Sequence, residues 1–252
     1  MDELLVSIVM PTYNSCRFID DAIRSVQAQT YRRWELLIAD DCSHDETVAV
    51  ARRWEKEDQR IHLLRRSENG GPAAARNSAI AVARGRYVAF LDSDDLWLPE
   101  KLERQIDSLR ASGATLSFTE YRRISESGKQ CGRVVGVPEV LAYVDLLKNT
   151  AIVTSTVLVD RERSGPLRMN SNTYLDDFAL WLEILRAGGV AVGVQEDLAR
   201  YRIVRRSLSR SKTNSATWVW RTYRDIEGLG RVYAAWCFIN YTVHAFRKYR
   251  NF

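Results

Sequence analysis

Residues 87–99 read YVAFLDSDDLWLP. Five largely apolar residues, Tyr87 to Leu91, have the character of a buried strand, and they run directly into the carboxylates Asp92, Asp94 and Asp95. Like charges this close together repel, and a site that keeps them usually also holds a cation. Side chains alternate along an extended segment, so Asp92 and Asp94 face the same side and can share one ion. Oxygen ligands without His or Cys favour Mg²⁺ or Mn²⁺ over zinc, and such ions are commonly shared with substrate phosphates.

Working outward, three similar apolar runs precede this one: LLVSIVM (4–10), WELLIA (34–39) and IHLL (61–64). Helical patterns lie between them. Phe18, Ile19, Ala22, Ile23 and Val26 share one helical face, and Val48, Ala49, Ala51, Arg52 and Trp54 suggest a second helix. Pro72 suits a first helical turn, with strong helix formers following over 73–83. The alternation predicts an α/β fold whose largely parallel sheet is covered by helices on both faces. Ligands of such sheets bind beyond the carboxyl ends of the strands. That rule gathers four polar clusters at one edge: PTYN (11–14), ADDCS (39–43) with Asp40 and Asp41, RRSENGG (65–71), and the DSDD turn. The helix opening at Pro72 is expected to offer free backbone N–H groups to an anion. Arg76, in its first turn, is expected to pair with a phosphate or an aspartate. These parts suit a diphosphate–metal unit. A Walker lysine and a GxGxxG are both missing, so kinase and dinucleotide readings lack their parts.

Further along, LSFTEYRRI (116–124) reads as a strand, SESGKQCG (125–132) as a turn and loop, and 141–147 as a helix. AIVTSTVLVD (151–160) reads as a strand and DDFALWLEILRAG (176–188) as an amphipathic helix stopped by Gly188. VAVGV (190–194) reads as a short strand, and the pattern is helical from Trp218 onward. With 252 residues, 46% hydrophobic and 27% charged, the chain has the make-up of one large folded domain or one domain plus an extension. The boundary is placed at 1–212 for the domain and 213–252 for a helical extension. The opening MDELL lacks a signal-peptide pattern. The apolar stretch 234–246 is interrupted by Asn240, Thr242 and His244, and falls short of the ~20 residues of a membrane span. Cys16, Cys42, Cys131 and Cys237 form no CxxC pair, which points to a reducing compartment and no zinc site.

The net charge of +5 is unevenly spread. Residues 200–252 hold 12 Lys+Arg against 2 Asp+Glu, and the rest hold 25 against 30. This tail also contains Trp218, Trp220, Tyr223, Tyr233, Trp236, Phe238, Tyr241, Phe246 and Tyr249. A basic, aromatic segment suits an anionic membrane surface or nucleic acid, and helices that simply pack on the domain account for it as well. The acidic strand edge argues against nucleic acid on that face.

SIVMPTYN, WELLIADDCSHDET, NGGPAAARNSAIAVARGRYVAFLDSDD and YLDDFALWLEIL, in this order over about residues 4–188, resemble the inverting, GT-A-fold glycosyltransferases of family 2. The likeness is strongest to bacterial enzymes that extend lipopolysaccharide or O-antigen units on a lipid-linked sugar. The resemblance implies a GT-A-type mixed, largely parallel sheet with a C-terminal helical extension, and Mn²⁺ or Mg²⁺ as cofactor. It implies a UDP-sugar donor, with UDP-glucose or UDP-galactose ahead of a UDP-N-acetylhexosamine. It also implies a lipid-linked or lipopolysaccharide sugar acceptor, work at the cytoplasmic face of the inner membrane, and no nucleic-acid partner.

Carried over by position, Pro11, Thr12 and Tyr13 border the nucleobase, with Tyr13 stacking on it, and Asp41 hydrogen-bonds the uracil. Arg76 lies near the diphosphate or organises the site. Asp94 is the metal ligand, with Asp92 near both ribose and metal. The family's base pair falls on Asp176–Asp177, with Asp177 favoured as base and Asp176 open to a helix-capping role. The commoner form has Glu first, and this chain has Asp. Trp97 is open to sugar stacking or packing, His44 reads as a loop residue, His62 as structural and Trp181 as core. Arg202, Arg205 or Arg206 could assist at the diphosphate. Two other readings compete. A nucleotidyltransferase would carry a glycine- and lysine-rich signature after the first strand, which PTYN lacks. A catalytically silent sugar-nucleotide-binding module sits poorly with the intact acid pairs.

Overall fold

A computed structural model describes residues 4–170, 175–204 and 212–249. Strand β1 (Val6–Thr12), helix α1 (Ile19–Gln27), β2 (Trp34–Asp40), α2 (Thr47–Glu57), β3 (Ile61–Arg65), α3 (Gly71–Val82) and β4 (Tyr87–Phe90) follow one another in strict alternation of strand and helix. The four strands pair in parallel in the order β3-β2-β1-β4. Val6, Ile8 and Met10 face one core beneath α1 and α2, and Val9 faces the other, shared with α3. Both faces of β1 and β2 are covered, which is why these strands read as unbroken apolar runs.

After β4 the direction changes. Short β5 (Leu96–Trp97) leads into α4 (Lys101–Ser112), then come β6 (Leu116–Ser125), β7 (Cys131–Val135), β8 (Val140–Leu141) and α5 (Tyr143–Leu146). A 3₁₀ turn (Thr154–Thr156) precedes β9 (Leu158–Asp160), α6 (Arg161–Ser164), α7 (Asp176–Arg186) and β10 (Ala191–Ile203). The sheet continues β4-β9-β6-β10-β5, with β9 antiparallel to β4 and β6 and with β10 parallel to β6. The result is a mixed sheet whose first half is parallel, as the motif pattern led us to expect.

Three expectations are corrected. The strand expected over 151–160 is only three residues long, because Thr154 and Ser155 turn out of the strand to hydrogen-bond carboxylates elsewhere. The short strand expected over 190–194 runs to Ile203, carried past its polar stretch by register shifts between Val194 and Asp197 and between Asp197 and Ala199. The turn and loop expected over 125–132 holds over 126–130 but ends sooner, since Cys131 and Gly132 already belong to β7, antiparallel to β6. Gly188, at φ +96, stops α7 as expected.

The chain ends in α8 (Lys212–Arg221), one π-helical stretch (Thr222–Ile226) and α9 (Arg231–Tyr249). Val219, Tyr223, Ala234 and Cys237 are buried in the same core as α3 and α7. Tyr143 Oη and Arg186 both donate to the buried Glu227 Oε2, at 2.6 and 3.3 Å, tying this segment to the domain.

Candidate active site

The four polar clusters do meet at one sheet edge. Thr12 and Asp40 close β1 and β2 in register, and Arg65 closes β3 beside Asp40. The loops beyond are stitched together. Asn14 N donates to Ser43 Oγ at 2.9 Å, His44 N to Asn14 Oδ1 at 2.8 Å, and Ser93 Oγ to Ser15 Oγ at 2.8 Å. Pro11 and Thr12 are buried, and Tyr13 stands 48% exposed at the rim with its ring edge-on to His44 at 6.5 Å.

Asp41 has a different setting from the expected one. Its carboxylate accepts from Arg66 Nε at 2.8 Å, Gly70 N at 3.0 Å and Gly71 N at 2.7 Å. Two of the amides expected to lie free for an anion at the start of α3, those of Gly70 and Gly71, are therefore held by Asp41, and Pro72 has no N–H to add. Two glycines permit this turn. A Cβ on Gly70 would meet the Arg66 guanidinium at 2.7 Å and Ala74 Cβ at 2.9 Å, and Gly71 has φ +80.

Arg76 lies at the centre, 6% exposed. It donates to Asp92 Oδ1 at 2.6 Å and to Asp176 Oδ2 at 3.1 Å. Burial disfavours its charge, but Asp92, then Asp176 and Asp177, outweigh burial and hold it more firmly protonated than usual. Asp176 is the first residue of α7 but does not cap it: its side chain goes to Arg76, and the capping role considered for it is corrected. Burial pushes the Asp176 carboxyl up to about 6, against the pull of Arg76. The guanidinium cannot deprotonate, and of its two carboxylate partners Asp92 is the nearer. Asp177 is less buried. Its Oδ1 accepts from Phe178 N at 2.7 Å and its Oδ2 from the Thr154 hydroxyl.

The DSDD turn is fixed from behind. The fully buried Asp95 accepts from Ser155 Oγ at 2.5 Å and from Arg202 N at 2.8 Å. Ser155 Oγ also accepts from Asp92 N at 3.1 Å. Arg202 Nε donates to the Asp94 carbonyl at 2.7 Å, so this arginine clamps the turn rather than reaching outward. Arg205 and Arg206 lie outside the described residues. The Asp94 carboxyl is pushed up to about 6 by burial and then by the charge of Asp92. Two carboxylates this close, with the ionisation of Asp94 disfavoured, offer oxygens that would suit a divalent cation, from Asp94 and from the Asp92 oxygen that Arg76 does not hold. Among the described residues no group of three His, Cys, Asp or Glu gathers as a closed metal cage, so further ligands would come from substrate and water. Thr12 Oγ1, Asp40 Oδ1 and Arg76 Nε are buried here without a hydrogen-bond partner, which is polar capacity left for a ligand or water.

The remaining side chains resolve simply. Trp97 is buried, donates from Nε1 to the Ser155 carbonyl at 2.7 Å and carries Lys101 Nζ 4.1 Å above its ring, so it packs rather than stacks on a sugar. Trp181 is core, edge-on to Phe90 at 5.3 Å. Thr154, Ser155 and Arg66 were missed from sequence. The only signal was three hydroxyl residues in a row, Thr154-Ser155-Thr156, within an otherwise apolar run.

Comparison with known proteins agrees with this geometry. The chain is 43% identical over 244 residues to TuaG of Bacillus subtilis (strain 168), named as a teichuronic acid biosynthesis glycosyltransferase, covering 97% of each chain. It is 36% identical over 252 residues to WfgD of Escherichia coli, a UDP-Glc:alpha-D-GlcNAc-diphosphoundecaprenol beta-1,3-glucosyltransferase, covering 99% of this chain and 96% of that one. Its fold matches S. aureus TarS 1-349 in complex with UDP-GlcNAc, with a TM-score of 0.75 at 16% identity, covering 96% of this chain and 72% of that one. It also matches the mannosyltransferase PcManGT from Pyrobaculum calidifontis in complex with GDP-Man and Mn²⁺, with a TM-score of 0.70 at 19% identity, covering 90% and 65%. The mixed sheet and its flanking helices are thus of the GT-A type found in TarS. The model of the family described as "Glycosyl transferase family 2" matches residues 7–174, and with relatives this similar along nearly its whole length, the chain belongs to glycosyltransferase family 2.

Proposed function

We propose that this glycosyltransferase is a metal-dependent, inverting hexosyltransferase. It moves a hexose from a UDP-sugar, UDP-glucose or UDP-galactose, to a hydroxyl of a lipid-pyrophosphate-linked or lipopolysaccharide sugar. Residues 1–212 form the catalytic domain and 213–252 an appended helical extension, and the enzyme works at the cytoplasmic face of an anionic inner membrane. The observation that carries the reading is the buried Arg76, which joins Asp92 of the DxD turn to Asp176 of the late acid pair. One guanidinium thereby registers a donor half against an acceptor half. The name of WfgD supports donor and acceptor classes of this kind, and the UDP-GlcNAc complex of TarS a UDP-sugar donor.

Pro11, Thr12 and Tyr13 border the nucleobase, and the exposed Tyr13 ring stacks on it. Asp41 shapes this subsite through its grip on Arg66, Gly70 and Gly71 and hydrogen-bonds the uracil. Asp94 and Asp92 hold Mn²⁺ or Mg²⁺, which when bound neutralises charge on the departing diphosphate. Thr154 and the Phe178 amide orient Asp177, which takes the proton of the acceptor hydroxyl. The acceptor oxygen bonds to the anomeric carbon as the bond to the diphosphate oxygen breaks on the opposite side. UDP leaves, and an α donor yields a β linkage. Arg76 holds Asp92 and Asp176 in place through its two ion pairs.

UDP release from a panel of UDP-sugars, with Mn²⁺ or Mg²⁺ and a synthetic lipid-pyrophosphate N-acetylhexosamine acceptor, tests the reading. Turnover with UDP-glucose or UDP-galactose is expected. Turnover confined to a UDP-N-acetylhexosamine would overturn the donor assignment. UDP binding without turnover on any donor and acceptor would favour a silent binding module.

A further inference from the structure

The outward side of α9 is an uncharged apolar seam. Val232, Trp236, Ile239, Val243 and Phe246 recur at alternating steps of four and three, which aligns them along one side of the helix. They are between 44% and 88% exposed. The opposite side is committed to the domain. Ala234 and Cys237 are buried, and Tyr241 meets the ring of Phe178 at 5.8 Å, beside Tyr223 at 6.3 Å. Phe178 is the residue whose amide holds Asp177. The seam therefore lies about one helix diameter, ~10 Å, from the packing that supports the proposed base.

We infer that this seam docks on an anionic lipid surface, with α9 lying in the interface plane. This deepens the reading above, on which the placing of a lipid-linked acceptor beside Asp177 rests. Charge selects the occupant. From residue 228 to 252 the sequence has no Asp or Glu, while Arg231 precedes the seam residues in the chain and Arg247, Lys248 and Arg250 follow them. A second copy of the chain would bring the same cations to the contact. Paired helices fix their register through opposite charges flanking the seam, and here the flanking positions of the sequence hold Tyr233, Ala235, Asn240, Thr242, Arg247 and Tyr249, with no Asp or Glu to answer a cation. An anionic lipid surface supplies the missing sign, and Trp236 and Tyr233 suit the headgroup boundary. Among the described residues no helix is long and apolar enough to cross a membrane, so α9 is read as lying on the surface.

The test is flotation of the full chain with phosphatidylcholine vesicles made with and without phosphatidylglycerol, alongside sedimentation and UDP release on a short water-soluble acceptor. The wild type is expected to float with the anionic vesicles, less so in high salt, and weakly with phosphatidylcholine alone. Trp236→Ser/Ile239→Ser is expected to cut the bound fraction at least tenfold, with unchanged melting and unchanged turnover on the soluble acceptor. Val140→Ser, at an exposed apolar position on the sheet, is expected to float as the wild type does. Three results would overturn the inference: no flotation of the wild type, equal flotation of the double variant, or a wild-type dimer that the double variant dissolves. Failure of the transferase reading is distinguishable, because it removes turnover from every protein while leaving flotation intact.

Discussion

Asp92, Asp94 and Asp95 crowd into four consecutive positions, whereas Asp176, 100 residues beyond Arg76, reaches the guanidinium that Asp92 also holds. The first cluster is held from within the sheet. Its turn is pinned by Ser155 and by both the backbone and side chain of Arg202, and Asp95 is sealed beneath it. The second sits at a helix start, with Asp176 buried against Arg76 and Asp177 left more open. The contrast separates two tasks. A crowded carboxylate set in which burial and neighbouring charge hold Asp94 and Asp95 above the ordinary range is suited to holding a metal and diphosphate. A carboxylate oriented by one hydroxyl and one amide, yet partly open, is suited to meeting an acceptor hydroxyl and taking its proton.

The contrast is sharpened most by Asp177→Asn. It is expected to lower kcat by about 10²–10⁴-fold, with UDP binding unchanged by calorimetry; a loss of UDP binding would break the division of labour. Arg76→Leu strips the countercharge from both clusters at once. It is expected to cost about 3–5 kcal/mol in denaturant unfolding, as expected when one partner of a buried ion pair is removed. Arg76→Lys, which cannot fork to two carboxylates, is expected to recover part of the stability and little of the activity.

The pH response discriminates the clusters from ordinary surface acids. Asp94 and Asp176 are raised to about 6 in the folded protein. Between the ordinary carboxylate range and pH 6 the native state then holds more protons than the unfolded chain, so stability falls as pH rises through that window, by up to about 3 kcal/mol for a two-unit shift. Mn²⁺ is expected to raise the melting temperature more above pH 6 than at pH 4.5. Asp58 behaves oppositely. Arg60 lowers it to about 2, and its contribution is present above the ordinary range and lost as pH falls toward 2. The smallest effect expected is that of Ser155→Ala, about 1–3 kcal/mol, since it takes a donor from Asp95 and an acceptor from the Asp92 amide. Thermal melting of the variant checks it.

The same contrast explains what could be read from the sequence. The four apolar runs, the turns after them and the DSDD motif are local, and each announces its place on the sheet edge. Asp176 and Asp177 were found only through the motif order, because nothing local marks an aspartate at a helix start as more than a cap. The role of Ser155 could not be read, since it depends on a chain reversal that brings residue 155 beneath residue 92. Asp41 was found, but its surroundings were not: the glycines that looked free to bind an anion are spent on a carboxylate from the neighbouring loop. The length of β10 escaped because its middle is polar, and its pairing rests on register shifts that leave no periodic trace.

The central claim is that one cluster binds the metal-nucleotide and the other does the acid–base work. Titration calorimetry of UDP with Mn²⁺ against the wild type, Asp94→Asn and Asp177→Asn tests it most directly. The account predicts metal-dependent binding that is equal in wild type and Asp177→Asn and at least tenfold weaker in Asp94→Asn. Binding that ignores Mn²⁺, or that Asp177→Asn weakens as much as Asp94→Asn does, would contradict it.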